Sequence, residues 1–203
     1  MADIDTAGVL VFDGFESLDA FGPFEVLSAG AARGPDFEVS LVTAEPAETV
    51  RSGDGAVVVP EGTVAEMDPD LLVVPGGGWN GREDSGAWAE AERGAIPDLL
   101  ADLAGEATLA GVCSGGMLLA RAGLLDGRPA VTHHGALDDM REMEAEVVEA
   151  RVVDAGDVLT AGGVSSGLDL GLYLLEREFG SGLAVAVESY LEYERRGTVY
   201  KEI

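Results

Sequence analysis

Short apolar segments alternate with helical patterns along most of this chain, and this alternation restricts the fold more than any other feature. The predicted strands are Thr6–Phe12, Phe37–Thr43, Leu71–Val74, Thr108–Val112 and Ala130–His133. The predicted helices are Leu18–Ala32, Glu83–Leu103, Ser114–Ala122, Leu137–Ala145, Ser166–Glu178 and Leu183–Arg195. Strands joined by helices of this length pair in parallel through right-handed crossovers. The pattern therefore predicts an α/β fold, a doubly wound and mostly parallel sheet with helices on both faces.

Prolines and short β-branched runs refine this prediction. Pro23 is expected to interrupt the first helix, and Pro97 to interrupt or restart the second, because proline lacks the helical N–H donor. Ala56–Pro60 predicts a short extra strand, and Val147–Val153 with Val158–Thr160 predicts a hairpin. The length of 203 residues fits one domain covering 1–203.

The most informative stretch joins the strand Thr108–Val112 to a helix through Cys113. Ser114 and two glycines follow the cysteine, and such small neighbours permit the strained strand-to-helix turn of a nucleophile elbow. A helix N-terminus favours thiolate, so the pKa of Cys113 is expected to lie below that of a free thiol. A lone cysteine is more often a small buried hydrophobe, but the glycine-rich turn favours the elbow.

Other strand ends are expected to supply the remaining groups of a site, because ligands bind at the carboxyl ends of parallel strands. Gly76 and Gly77 follow the strand Leu71–Val74, and the Gly77 and Ser114 amides are candidates for an oxyanion hole. Asp19 stands at the start of the first helix, as a catalytic acid or simply as a dipole partner. Trp79 is expected to line the pocket or merely to pack.

Acidic residues dominate the composition: 38 Asp and Glu against 12 Lys and Arg give a formal net charge of −26. Such a charge repels phosphate backbones, which excludes nucleic acid as a partner. No apolar run is long enough to span a bilayer, and the single cysteine cannot form an internal disulfide, so a cytoplasmic location is expected. Carboxylates scattered over the whole surface are typical of proteins adapted to a salt-rich, halophilic interior.

Six segments occurring in order carry a family resemblance: 18–27, 75–77, 111–115, 122–127, 131–133 and 161–169. Together they resemble the ThiJ/PfpI branch of the class I glutamine amidotransferase-like superfamily, and they are most similar to its isonitrile hydratase subgroup. The resemblance extends from Gly8 to about Tyr193. It implies a flavodoxin-like fold with a nucleophile elbow.

The resemblance also implies roles for particular residues. PfpI-type peptidases carry His directly after the nucleophilic cysteine, whereas this chain has Ser114, which argues against a peptidase. Isonitrile hydratases carry Thr there and an Asp where Asp19 stands. The implied enzyme is a lyase with Cys113 as nucleophile, Asp19 as acid and base, and the Ser114 hydroxyl positioning charge. His133 would orient a small-molecule substrate or be structural, and His134, where hydratases tend to have Trp, would make the pocket more polar.

No cofactor is implied, and two histidines with one cysteine make no convincing metal set. A homodimer is the default expectation from the resemblance. Two alternatives stay open at this point. One is a hydrolase or glyoxalase-like enzyme acting on small carbonyl or amide compounds. The other is a non-catalytic redox sensor in which Cys113 is oxidised to sulfenic acid.

The charge imbalance generates a prediction about salt. Repulsion among exposed carboxylates destabilises the folded state in dilute buffer, and it is screened within a few ångströms at molar salt. The free energy of unfolding should therefore rise between about 0.1 M and about 2 M KCl, measured by urea denaturation followed by circular dichroism. A free energy of unfolding that stays constant over this range would contradict the halophilic interpretation.

Overall fold

A computed structural model describes residues 4–202 and contains twelve strands and eight α-helices within that range. The strands are β1 Thr6–Leu10, β2 Glu38–Thr43, β3 Val50–Arg51, β4 Val57–Val58, β5 Gly62–Thr63, β6 Leu71–Val74, β7 Thr108–Val112, β8 Pro129–Ala130, β9 Glu146–Val147, β10 Val152–Asp154, β11 Val158–Ala161 and β12 Val199–Lys201. The helices are α1 Ser17–Ala31, α2 Val64–Met67, α3 Ala87–Arg93, α4 Ala95–Asp102, α5 Gly115–Arg121, α6 Leu137–Glu142, α7 Ser166–Phe179 and α8 Ser181–Leu191.

The main sheet has eight strands in the order β12-β10-β11-β7-β6-β1-β2-β5. From β11 to β5 all neighbours are parallel, and only β10 and β11 pair antiparallel. Every residue of the central strand β6 is buried, as expected for a strand covered on both faces. Helices α1, α7 and α8 pack together, as do α3, α4 and α5. The predicted doubly wound, mostly parallel α/β fold is confirmed.

The order of the strands explains where a site can form. The chain moves from β1 outward to β2, and then returns to place β6 and β7 on the other side of β1. Strand order therefore reverses at β1, and the carboxyl ends of β1, β6 and β7 meet at one edge. Loops leaving such a reversal point diverge and leave a crevice for ligands.

The two prolines predicted to interrupt helices, Pro23 and Pro97, behave differently in the structure. Helix α1 runs without interruption through Pro23, so the predicted break is wrong. The Pro23 ring packs against α7, where a Cβ on Gly167 would come within 2.9 Å of it, and this packing stabilises the helix despite the missing N–H. Pro97 lies in the first turn of α4, directly after Gly94 ends α3, so it restarts the helix as predicted.

Several short elements differ from the sequence prediction. The hairpin of β10 and β11 is confirmed, but Val147 belongs to β9 and pairs with β8 instead. The strand predicted at Ala130–His133 stops at Ala130, so His133 lies in a loop. The extra strand within Ala56–Pro60 is confirmed as β4.

Glycine substitution tests how tightly β6, β7 and α5 are packed. A Cβ on Gly115 would overlap the carbonyl oxygen of Val74, which is backbone and cannot move aside. Gly115→Ala should therefore lower the free energy of unfolding by about 2 kcal/mol or more, measured by urea denaturation. Gly182→Ala is the matched control, because nothing lies within 4 Å of that Cβ. Its stability should be unchanged or higher by up to about 1 kcal/mol, since alanine favours helix. Equal losses in both variants would contradict this packing.

Candidate active site

Cys113 occupies a strained turn between β7 and α5. Its φ angle is 56°, in the left-handed region that residues with a Cβ rarely adopt. The backbone N–H of Cys113 donates to the carbonyl oxygens of Ala161 at 3.1 Å and Gly162 at 2.9 Å, and these bonds hold the turn. Thr132 Oγ1 donates to the Cys113 carbonyl oxygen at 2.7 Å from the other side. The predicted nucleophile elbow is present, and the side chain lies at the edge where strand order reverses.

Asp19 is fully buried next to this cysteine. The N–H of Gly76 donates to Asp19 Oδ2 at 3.0 Å, and Asp19 Oδ1 has no hydrogen-bond partner within residues 4–202. Burial raises the pKa of Asp19 to about 8, although the bond from Gly76 and the interaction with Cys113 lower it. Loss of water around a carboxylate outweighs a single backbone donor. Asp19 is therefore a largely protonated carboxylic acid at neutral pH.

The Cys113 thiol is also held protonated. Burial raises its pKa to about 12, and the nearby Asp19 charge acts in the same direction. The backbone N–H groups of Val164 and Ser114 favour the thiolate but are outweighed. The expectation of a pKa below that of a free thiol is therefore wrong, because desolvation and a neighbouring carboxyl exceed the effect of the helix terminus. Cys113 and Asp19 form an acid–thiol pair that carries two protons at neutral pH.

The glycines after β6 lie beside the elbow, and their backbone N–H groups bind side chains of the site. The Gly77 N–H donates to Ser114 Oγ at 2.9 Å, so this amide is already occupied. Gly76 is occupied as well, because its N–H binds Asp19. The predicted oxyanion hole of the Gly77 and Ser114 amides is therefore not open as it stands. Ser114 accepts from Gly77 and keeps its own hydroxyl hydrogen free to donate to a ligand.

His133 presents a defined face to the site. The Gly135 N–H donates to His133 Nδ1 at 3.1 Å, so in the neutral ring the proton sits on Nε2. Burial and the neighbouring His134 lower the pKa of His133, which keeps the ring neutral at neutral pH. His133 therefore offers a hydrogen-bond donor, Nε2–H, without a positive charge.

These residues surround one pocket of about 220 Å³. It is lined by Glu16, Gly77, Gly78, Trp79, Asn80, Gly81, Glu83, Cys113, Ser114, His133 and Val164. Asp19 and Gly76 are not in this lining: Asp19 lies next to Cys113, and Gly76 binds Asp19. His134 lines a different pocket, so the expectation that it makes this one more polar is wrong.

Sequence reasoning predicted five of the lining residues and missed others. Trp79 lines the pocket and is fixed by its Nε1–H, which donates to Asp139 Oδ2 at 2.7 Å. Glu16, Glu83 and Val164 were missed, and no spacing in the sequence identifies them. They reach the pocket only because loops from distant strands meet there.

Residues 4–202 contain neither a metal-binding cluster nor a helix that could span a membrane. No three His, Cys, Asp or Glu side chains within 4–202 are grouped so as to hold a metal ion. Over the same range, no helix is both long and apolar enough to cross a membrane. The pocket presents a thiol, a hydroxyl, a neutral imidazole, an amide and two carboxylates, and the buried carboxylic acid of Asp19 lies next to the thiol.

The fold and the site define a class: a flavodoxin-like α/β protein with a cysteine at a nucleophile elbow. The model of the DJ-1/PfpI family matches residues 5–177, and this chain belongs to that family. The predicted family assignment is confirmed.

The relatives of this chain include one named enzyme and proteins whose names state no activity. Isonitrile hydratase of Pseudomonas putida is 33% identical over 188 residues, covering 92% of this chain and 77% of the relative. The Parkinson disease protein 7 homolog of Danio rerio is 26% identical, covering 90% of this chain and 94% of the relative. A THiJ/PfpI family protein from Pseudomonas syringae superposes with a TM-score of 0.83 at 28% identity, covering 97% of this chain and 77% of that one. Family membership therefore does not by itself choose an activity.

Replacing Asp19 tests its raised pKa through the pH dependence of stability. Unfolded aspartate ionises near 3.8, whereas native Asp19 keeps its proton until about 8. Between these values the native state binds more protons, so the free energy of unfolding falls as pH rises, by up to roughly 1.4 kcal/mol per pH unit from this group. Asp19→Asn removes this dependence.

The stability of Asp19→Asn relative to wild type should therefore increase from about pH 5 to about pH 7, measured by urea denaturation at fixed salt. The test is how the stability difference between Asp19→Asn and wild type changes with pH. A difference that is the same at every pH reports only how well the amide packs. A difference that does not change with pH would place the native pKa of Asp19 near its unfolded value.

Proposed function

We propose that this protein hydrates an isonitrile to an N-substituted formamide. The observation that carries the proposal is a buried, protonated Asp19 next to the Cys113 thiol. The terminal carbon of an isonitrile, R–N≡C, must receive both a proton and a nucleophile at the same atom. A neutral acid adjacent to a thiol can deliver both to one carbon, which an isolated low-pKa thiolate cannot.

The first half of the reaction forms a thioimidate. The carbon of the isonitrile approaches Cys113 from the pocket, and Asp19 gives its proton to that carbon. The sulfur of Cys113 bonds to the same carbon, and the thiol proton passes to the Asp19 carboxylate. The product is R–N=CH–S–Cys113, with Asp19 protonated again. The unpartnered Asp19 Oδ1 is the atom available for this exchange.

The second half consumes water. The oxygen of water bonds to the thioimidate carbon, one of its protons goes to the substrate nitrogen, and the carbon–sulfur bond breaks. The remaining proton returns to sulfur, which yields R–NH–CHO and the free thiol. His133 Nε2–H and the Ser114 hydroxyl are the pocket donors suited to the nitrogen and the developing oxygen. Asp19 accepts and returns protons during this step.

The similarity to isonitrile hydratase of Pseudomonas putida, which extends over 92% of this chain, supports the proposal. The alternatives receive less support. Oxidation to sulfenic acid proceeds through thiolate, and the raised pKa of Cys113 opposes a redox sensor. No group in the pocket specifically favours a hydrolase or glyoxalase-like reaction over the hydration. A cytoplasmic location and a homodimer stay expectations from the sequence and the resemblance.

The direct test is formamide production from cyclohexyl isonitrile in KCl at about 2 M, where screening is strong. Wild type should turn over, and Cys113→Ala should have no activity. Asp19→Asn should lose at least about 100-fold in kcat, since general acid and base catalysis contributes that much. Glu25→Gln on the exposed side of the same helix is the control and should keep full activity.

Circular dichroism should show that each variant folds. Absence of turnover in folded wild type, or full turnover in Asp19→Asn, would contradict the proposed mechanism.

A further inference from the structure

Two carboxylates face the pocket without a compensating cation. Glu16 is half-buried in the pocket wall, and Glu83 is exposed at its rim. Neither makes an ion pair with any residue in 4–202. No lysine or arginine lines the pocket, and His133 is neutral at neutral pH. The nearest arginine in sequence, Arg82, lies with its guanidinium 4.6 Å from the centre of the Trp88 ring.

Glu16 is held against the reactive centre by the backbone. Its N–H donates to the carbonyl oxygen of Gly76 at 2.8 Å, and the N–H of the same Gly76 binds Asp19. A Cβ on Gly77 would come within 2.7 Å of the same Glu16 nitrogen, so the two loops are in close contact. Helix α1 begins directly after Glu16, and Glu16 is close enough to Asp19 for its charge to oppose ionisation of that buried acid. The backbone of Glu16 is therefore held at the wall of the pocket.

The pocket itself is a ligand site on independent grounds. Cys113 and Ser114 form its floor, and the buried Asp19 behind them keeps one unpartnered oxygen. A substrate whose reacting carbon meets Cys113 fills a pocket whose walls include Glu16 and Glu83. A negative charge on that part meets two uncompensated carboxylates, and a positive charge or an N–H donor is attracted to them.

We infer that Glu16 and Glu83 select substrates by charge, so that the site favours a small substrate with a cationic or N–H-bearing substituent and rejects carboxylates. This inference rests on the proposed function for the identity of the reacting group, an isonitrile. The preference for charge depends only on the residues that line the pocket. Glu16 and Glu83 are specificity residues and take no part in bond making. Their removal should change relative rates among substrates more than the rate for a neutral one.

The first test compares three isonitriles of similar size at about 0.1 M KCl, where contact charges are weakly screened. One ends in a trimethylammonium group, one in its neutral tert-butyl isostere and one in a carboxylate. In wild type, kcat/KM should fall in that order, by about tenfold at each step. The Glu16→Gln/Glu83→Gln double variant should reduce these ratios several-fold, and the ratios are the test because the absolute rates also include the effect of Glu16 on Asp19.

The second test does not require turnover. Cys113 is modified with a cationic trimethylammonium-ethyl thiosulfonate and with an anionic sulfonato-ethyl thiosulfonate, and each rate is divided by that of a free thiol. The cation-to-anion ratio should exceed one by about tenfold in wild type and fall several-fold in Glu16→Gln/Glu83→Gln. The control Glu25→Gln/Glu48→Gln removes the same net charge from exposed positions and should leave the ratio unchanged.

The outcomes distinguish failure of charge selection from failure of the proposed isonitrile hydration. A cation-to-anion ratio that falls in Glu16→Gln/Glu83→Gln but not in the control variant supports charge selection, even if no isonitrile is turned over. Equal ratios in wild type and the pocket variant would overturn charge selection, whatever the result with isonitriles. An equal fall in the control variant would overturn it as well, because the preference would then arise from the net charge of the whole protein.

Discussion

The close approach of β6, β7 and α5 is the constraint on which the rest of this site depends. The left-handed turn at Cys113 is packed so closely that two nearby positions leave no room for a Cβ: that of Gly115 is filled by the Val74 carbonyl, and that of Gly76 by Ser114. The same approach brings the loop after β6 directly beneath the elbow. One backbone N–H of that loop then binds Asp19 and the next binds Ser114. The packing of glycine against backbone therefore places the nucleophile, the acid and the hydroxyl together.

Burial then decides what these groups can do. A carboxyl and a thiol removed from water and placed side by side both hold their protons, since ionising either one costs desolvation and ionising both adds repulsion. A preformed thiolate is suited to reaction with oxidants, whereas a protonated pair is suited to adding hydrogen and sulfur to one carbon. The electrostatics of the pair therefore agree better with the proposed addition reaction than with a redox role.

The sequence predicted the fold well because periodicity and strand-end glycines are local signals. The elbow at Cys113 and the positions of Gly77, Ser114, Trp79 and His133 in the pocket follow from motifs at the ends of buried strands. The direction of the thiol pKa could not be predicted, because it depends first on how deeply Cys113 itself is buried and then on the nearby Asp19, and only tertiary packing sets both. Strand β12 escaped prediction because its three residues are all exposed and show no alternation. Glu16 and Glu83 could not be predicted as pocket residues, because they lie on loops that come together only in the folded structure.

The acidic surface and the acidic pocket act over different distances. A net charge of −26 produces a field that attracts cations from afar, but at molar salt that field decays within about 3 Å of each exposed charge. Glu16 is half-buried and lines the pocket, so screening weakens its effect on a bound substrate much less. In a salt-rich interior the general field would therefore contribute little to choosing a substrate. Selection by charge would rest on the two carboxylates that line the pocket.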